Sequence, residues 1–106
     1  MNESAFSQLA DQLMIDIEEA VDASGADIDC EANNGVLTLT MEENGTVVIV
    51  SRQSAVAQIW VAAKSGGFHF NWQEDKWVCS TTGETLPELM TRVCTEQSSE
   101  PVVLKF

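Results

Sequence analysis

From Ser4 to Ser24 the apolar residues Phe6, Leu9, Ala10, Leu13, Met14, Ile17 and Val21 recur at intervals of three and four. That spacing lays them on one helical stripe about 100° wide, so it predicts a first helix. Asn2 or Ser4 suits its N-cap, and Ser24-Gly25 supplies a residue that accepts a left-handed stop. On the same projection Asp11, Glu18, Glu19 and Asp22 fall opposite the stripe, with Ile15 among them. At Asp27 the period changes to two. Asp27-Ile28-Asp29-Cys30-Glu31-Ala32 alternates strictly, which predicts a strand with Ile28, Cys30 and Ala32 on the core face and Asp27, Asp29 and Glu31 together on the other.

Asn33-Asn34-Gly35 is a hairpin signal, and Val36 to Met41 predicts the second strand, with Leu37, Leu39 and Met41 inward. Glu43-Asn44-Gly45 turns the chain into a β-branched run from Thr46 to Ser51. Ala55 to Ala62 predicts a further strand carrying Ala57, Ile59 and Val61 on one face, and Gln58 and Trp60 on the other. After Ser65-Gly66-Gly67, Phe68, Phe70 and Trp72 alternate with His69 and Asn71, and Lys76 to Cys79 makes a short last strand. Thr85-Leu86-Pro87-Glu88 then has the form of a capping box, opening a second helix to about Gln97 with Leu86, Leu89, Met90, Val93 and Cys94 as its stripe. Pro101 starts an extended tail. Two amphipathic helices around an antiparallel meander of about six strands give an α+β fold. It is a two-layer sandwich with both helices on one sheet face, formed as a single domain over residues 1–106.

Charge changes this picture. Among 106 residues there are 17 acidic and 5 basic side chains, a net charge of −12. Residues 1–51 contain eleven acids and no Lys or Arg. Because this half is rich in apolar periodicity, the acids belong to folded elements and not to a disordered tail. Such a balance argues against binding nucleic acid or an anionic membrane surface, and in favour of cations or a basic protein. Neither a signal peptide nor an apolar run of membrane-spanning length is present, which leads us to expect a soluble, cytoplasmic protein. Cys30, Cys79 and Cys94 are far apart and odd in number, so they read as structural thiols. The sole histidine, His69, has no nucleophile beside it in any motif, and no phosphate-binding glycine loop occurs.

What remains is a carboxylate ridge. Glu18, Glu19 and Asp22 occupy the last turns of the first helix, where the macrodipole favours cations, and Glu18 and Asp22 form a like-charged i, i+4 pair. Local rules broken without a local Lys or Arg to compensate point to function. Only Gly25-Ala26 separates this helix end from Asp27, Asp29 and Glu31, so the two sets are expected to make one ridge. Exposed carboxylates without His or Cys are hard ligands, suited to weak binding of several ions such as Fe(II), Fe(III), Mn(II) or Ca(II). A generic acidic surface is the bland alternative. Trp60, pointing away from Ile59 and Val61, reads as an exposed aromatic anchor, the alternative being a tryptophan tucked under the C-terminal tail.

The runs Gln58-Ile59-Trp60-Val61-Ala62, Gly66-Gly67-Phe68-His69-Phe70 and Trp77-Val78-Cys79, followed by Ser80-Thr81-Thr82-Gly83-Glu84-Thr85-Leu86, resemble the frataxin family. The segments Leu9-Ala10-Asp11, Ile17-Glu18-Glu19, Asp29-Cys30-Glu31 and Gly35-Val36-Leu37-Thr38 resemble its bacterial members in order and spacing over nearly the whole chain. The resemblance implies an iron-binding protein of iron–sulfur cluster assembly, a non-catalytic regulator or iron-linked adaptor whose partners are the cysteine desulfurase and the scaffold protein. Its alternative is a ferroxidase that stores iron. Carried over by position, Glu18, Glu19, Asp22, Asp27, Asp29 and Glu31 match the metal ridge with Glu3 and Asp11 at its edge. Trp60 matches an exposed partner-binding tryptophan, with Gln58 beside it and Glu18, Glu19 and Asp22 shared with the partner surface. A monomer is expected, with iron-induced oligomers left open. The loop Ala23-Ser24-Gly25-Ala26 is shorter and less acidic than is common in the family, and Ser7 stands where some members have histidine.

Overall fold

In the computed structural model, which describes residues 1–106, α1 (Glu3–Ser24) leads into β1 (Ile28–Asn33), β2 (Val36–Met41), β3 (Val47–Gln53), β4 (Gln58–Ala63), β5 (Gly66–Gln73) and β6 (Lys76–Cys79), and α2 (Leu86–Ser98) follows. The strands pair antiparallel in chain order, β1 and β6 forming the edges. Both helices bury their stripes on the sheet face that carries Leu37, Leu39, Val48, Val50, Ile59 and Val61. The fold is the two-layer α+β sandwich that the periodicity predicts.

Local chemistry sets the element ends. Asn2 caps α1, its Oδ1 accepting the Ala5 N–H at 2.7 Å. Gly25 stops the helix at φ 69°, a left-handed conformation that costs glycine little. At α2 the Thr85 N–H and hydroxyl donate to Glu88 Oε1 at 2.8 and 3.0 Å, and Pro87 occupies a position whose N–H would have no helical partner. Beyond α2 the tail returns along the helix. The Thr95 and Thr91 hydroxyls meet the backbone of Val102 and Leu104, whose side chains are buried.

Two strands differ from expectation. Ser54–Val56 form a 3-10 turn, closed by the Ala57 N–H donating to Ser54 O at 3.3 Å with Ala57 at φ 52°. With Gln53 opposite Gln58, the reversal from β3 consumes Ser54 to Ala57, so β4 begins at Gln58. Ala32, expected on the core face, is exposed, and Ile28 and Cys30 are only half-buried. An edge strand meets the helical layer along one side alone, so its inward positions are covered incompletely.

Gln97 is the one buried polar side chain of the core. Its Oε1 accepts the Lys64 N–H at 2.9 Å, and its Nε2 donates to Thr46 Oγ1 and Val47 O at 3.1 Å each. Asn44 Nδ2 donates in turn to Gln97 O at 2.6 Å. The last turn of α2 is thereby tied to the turns on either side of the central strands.

Candidate metal and partner-binding surface

Helix α1 places Glu18, Glu19 and Asp22 on its solvent side because Ile17, Ala20 and Val21 occupy the buried one. Asp27, Asp29 and Glu31 are exposed beside them, Asp27 just before β1 and the others along it, with alternate residues about 7 Å apart. Cys30 reports the meeting of the two elements. Burial pushes its thiol up, and the charges of Glu18, Asp29 and Asp22 push it further, to about 11. The charges of two helix carboxylates and one strand carboxylate are thus felt at the same half-buried sulfur, which stays a thiol at neutral pH and adds no soft thiolate to the ridge. No Lys or Arg lies in the last turn of α1.

Two of the expected ridge residues stand apart. Asp11 pairs with Arg52 Nη2 at 2.8 Å, so its charge is already answered. The cation comes from β3, whose Arg52 lies against the β1–β2 hairpin at Gly35. Glu3 sits in the first turn of α1, where its charge suits the dipole, on the order of 20 Å along the axis from Glu18. Neither extends the ridge.

The structure adds acids that periodicity could not join to it. A cleft of about 580 Å³ opens beside Asp27, lined also by Glu42, Glu43 and Glu100, between the C-terminal ends of α1 and α2. Both helix ends carry partial negative charge. Across this whole region no three His, Cys, Asp or Glu side chains are close enough to enclose a metal ion. The donor set fits hard cations that keep most of their water, and it does not fit a closed cage.

The open face of the sheet carries the second candidate. Ile59 and Val61 are buried beneath the helices, so Trp60 points the other way, opposite His69 on β5. The two rings stack at 4.3 Å between centroids and 9° between planes. Trp60 Nε1 donates to Gln58 Oε1 at 2.8 Å, and Gln58 Nε2 donates to Asn71 Oδ1 at 3.1 Å. Trp60 is thus half-buried and held in place on the open face, less exposed than a free anchor, and the C-terminal tail packs elsewhere. In the sequence His69 stands alone on a strand; its stacking on Trp60 follows from the β4–β5 register.

Comparison with known proteins agrees with this geometry. Residues 1–100 match the model of the frataxin-like domain. The structure is similar to frataxin from Psychromonas ingrahamii, a subject of stability work within the CyaY protein family, with 38% identity, 100% of both chains covered and a TM-score of 0.91. It is also similar to trimeric frataxin from the yeast Saccharomyces cerevisiae complexed with ferrous iron, at 27% identity, covering 94% of this chain and 88% of that one, TM-score 0.68. Trimeric yeast frataxin with its full-length N-terminus matches at 28% identity, 93% and 81% coverage, and a TM-score of 0.67.

Proposed function

The chain belongs to the frataxin family, and from that premise we propose that it binds iron weakly at Glu18, Glu19, Asp22, Asp27, Asp29 and Glu31. Acting in the cytoplasm, it adjusts iron–sulfur cluster assembly by docking on the cysteine desulfurase and its scaffold protein without catalysing a reaction itself. The observation that carries this reading is the exposure of Glu18, Glu19 and Asp22 at the end of α1 next to Asp27, Asp29 and Glu31 on and before the adjoining edge strand, with no basic residue in the helix's last turn. Hard oxygen donors hold Fe(II) or Fe(III), and their openness suits an ion that must be taken up and passed on. A yeast relative was solved with ferrous iron, which supports the choice of metal. The protein acts as a monomer until iron bridges copies. The same negative field steers a basic partner, while the held Trp60 supplies contact area.

One titration series tests both halves. Anaerobic Fe(II) should perturb the NMR signals of the six ridge residues and leave those of Glu3 and Asp11 largely unmoved. Trp60→Ala should keep the fold and the iron shifts but weaken binding to the desulfurase–scaffold complex by about 2 kcal/mol or more. Iron shifts centred away from the ridge, or unaltered affinity in the Trp60 variant, would refute the corresponding half. Oxygen consumption above a buffer control at stoichiometric iron would replace the non-catalytic reading with the ferroxidase one.

A further inference from the structure

On the other flank of α1, a third of a turn round from the ridge, Leu9, Gln12, Leu13 and Asp16 follow one another at helical spacing. They form one wall of a cleft of about 490 Å³, closed by the β5–β6 hairpin and the first turn of α2. That volume lies in the range of sites for small organic ligands. Its floor is apolar and aromatic. Trp72 and Trp77 meet edge to face, 5.1 Å apart at 67°, and Phe106 is half-buried beside the cleft they share with Leu9 and Leu13. Trp72 and Leu9 are themselves only partly covered, so ring surface is left open to the cleft.

The rim has the opposite character. Asp16, Asp75 and Glu88 line it together with one lysine, Lys76. Asp16 is half-buried and its Oδ1 is oriented by the Gln12 amide at 2.9 Å. Glu88 stays ionised because the Thr85 N–H and hydroxyl hold its carboxylate, lowering its pKa. At the α2 N-terminus the Glu88 carboxylate already sits against the positive end of the helix dipole, held by the Thr85 N–H, and Pro87 has no N–H to offer. An anionic ligand would meet three carboxylates against one lysine. A cation would meet carboxylates and the uncovered part of the Trp72 indole.

We propose that the cleft is a binding site for a small aromatic ammonium compound, whose ring lies against Trp72 and Trp77 and whose amine pairs with Asp16 and Asp75. The site is separate from the acidic ridge in place and in chemistry, since the ridge offers charge without an apolar floor. A ligand of this class needs both parts, and the cleft combines them.

The test uses the intact protein and three probes: 2-phenylethylamine, 3-phenylpropionate with a comparable ring and opposite charge, and ethylamine with the charge alone. Phenylethylamine should give saturable NMR shifts of the Trp72 and Trp77 indole N–H groups and of the Leu9 and Leu13 methyls. Ethylamine should not saturate these signals, and phenylpropionate should leave them in place. Asp16→Asn keeps the acceptor for Gln12 but removes the charge, and it should weaken phenylethylamine about five- to tenfold. Leu9→Trp should fill the cleft and abolish the shifts, with a dispersed spectrum as the control for folding. Equal binding of phenylpropionate, shifts confined to Glu18, Glu19 and Asp22, or an Asp16→Asn variant that binds unchanged would each overturn the proposal. Iron titration reads the ridge independently, so failure here leaves the iron-binding reading untouched.

Discussion

Cys79 and Cys94 are both shielded from solvent, yet their thiols move in opposite directions. Burial alone acts on Cys94 and raises it to about 12. Burial also pushes Cys79 up, but hydrogen bonds from the side chains and backbone of Thr81 and Thr82 outweigh it and bring the thiol down to about 7. Cys79 Sγ lies 3.4 Å from Thr81 Oγ1. A group whose folded pKa is depressed stabilises the fold above its unfolded value and loses that contribution as pH falls through the folded one. Stability from Cys79 should therefore grow between pH 7 and pH 9, by about 2–3 kcal/mol at most. Cys30 and Cys94 have raised values, so their contribution is complete below pH 9 and is lost as pH climbs towards 11. Urea unfolding across this range should show a rise followed by a fall, and Cys79→Ser should flatten the rise alone. A variant that keeps the rise would assign it to another group. None of this is visible in the sequence, where the three cysteines look alike. Gln97 was similarly hidden: it continues the α2 stripe three residues after Cys94, but its polar type masks the periodicity that a buried, fully bonded amide obeys.

At the scale of elements, what the sequence made legible followed the length of the pattern. Helix α1 offered six turns of consistent spacing, so both its buried stripe and its acidic face could be read, and β2 showed three clean alternations. Ala55 to Ala57 are all apolar and read as the start of the next strand, but chain reversal overrode them, since a strand needs a partner at a fixed register and the turn must come from somewhere. The site divides the same way. Glu18, Glu19 and Asp22 lie on one helix and group by its period alone, whereas the Arg52–Asp11 pair and the acids Glu42, Glu43 and Glu100 join only when distant elements pack. The three helix acids also oppose their own element: they sit near its C-terminus with no basic residue in the last turn. Glu18→Lys, Glu19→Lys and Asp22→Lys together should therefore raise stability by about 1–2 kcal/mol while removing most iron binding. Thermal melts of the triple variant check the first effect and Fe(II) titration the second. A triple variant that is less stable would show that these side chains support the fold, and one that binds iron normally would remove them from the metal site.

For the molecule as a whole, the imbalance is spatial as well as numerical. The net charge of −12 is concentrated in residues 1–51, which form α1, β1, β2 and most of β3, while the basic groups lie from Arg52 onward. Some of these are spent locally, as where Arg92 holds Glu84 with two bonds of 2.9 and 3.0 Å and reaches Glu96 at 3.5 Å. The protein extends 39 × 26 × 20 Å. At physiological salt the screening length is about 8 Å, so charges at opposite ends scarcely interact, but neighbours within the ridge still repel. Near 0.01 M salt that length is about 30 Å, and repulsion is felt across nearly the entire molecule. Adding monovalent salt over this interval should raise the melting temperature. A hard divalent ion at matched ionic strength should raise it further, because binding to the folded state adds a term that grows with ligand concentration relative to its dissociation constant. The two increments separate screening from binding, and the triple lysine variant should lose most of the second while keeping part of the first. A wild-type melting temperature indifferent to salt would mean that the acids are too well solvated to strain the fold. Equal response to monovalent and divalent ions at the same ionic strength would mean that the ridge repels without binding.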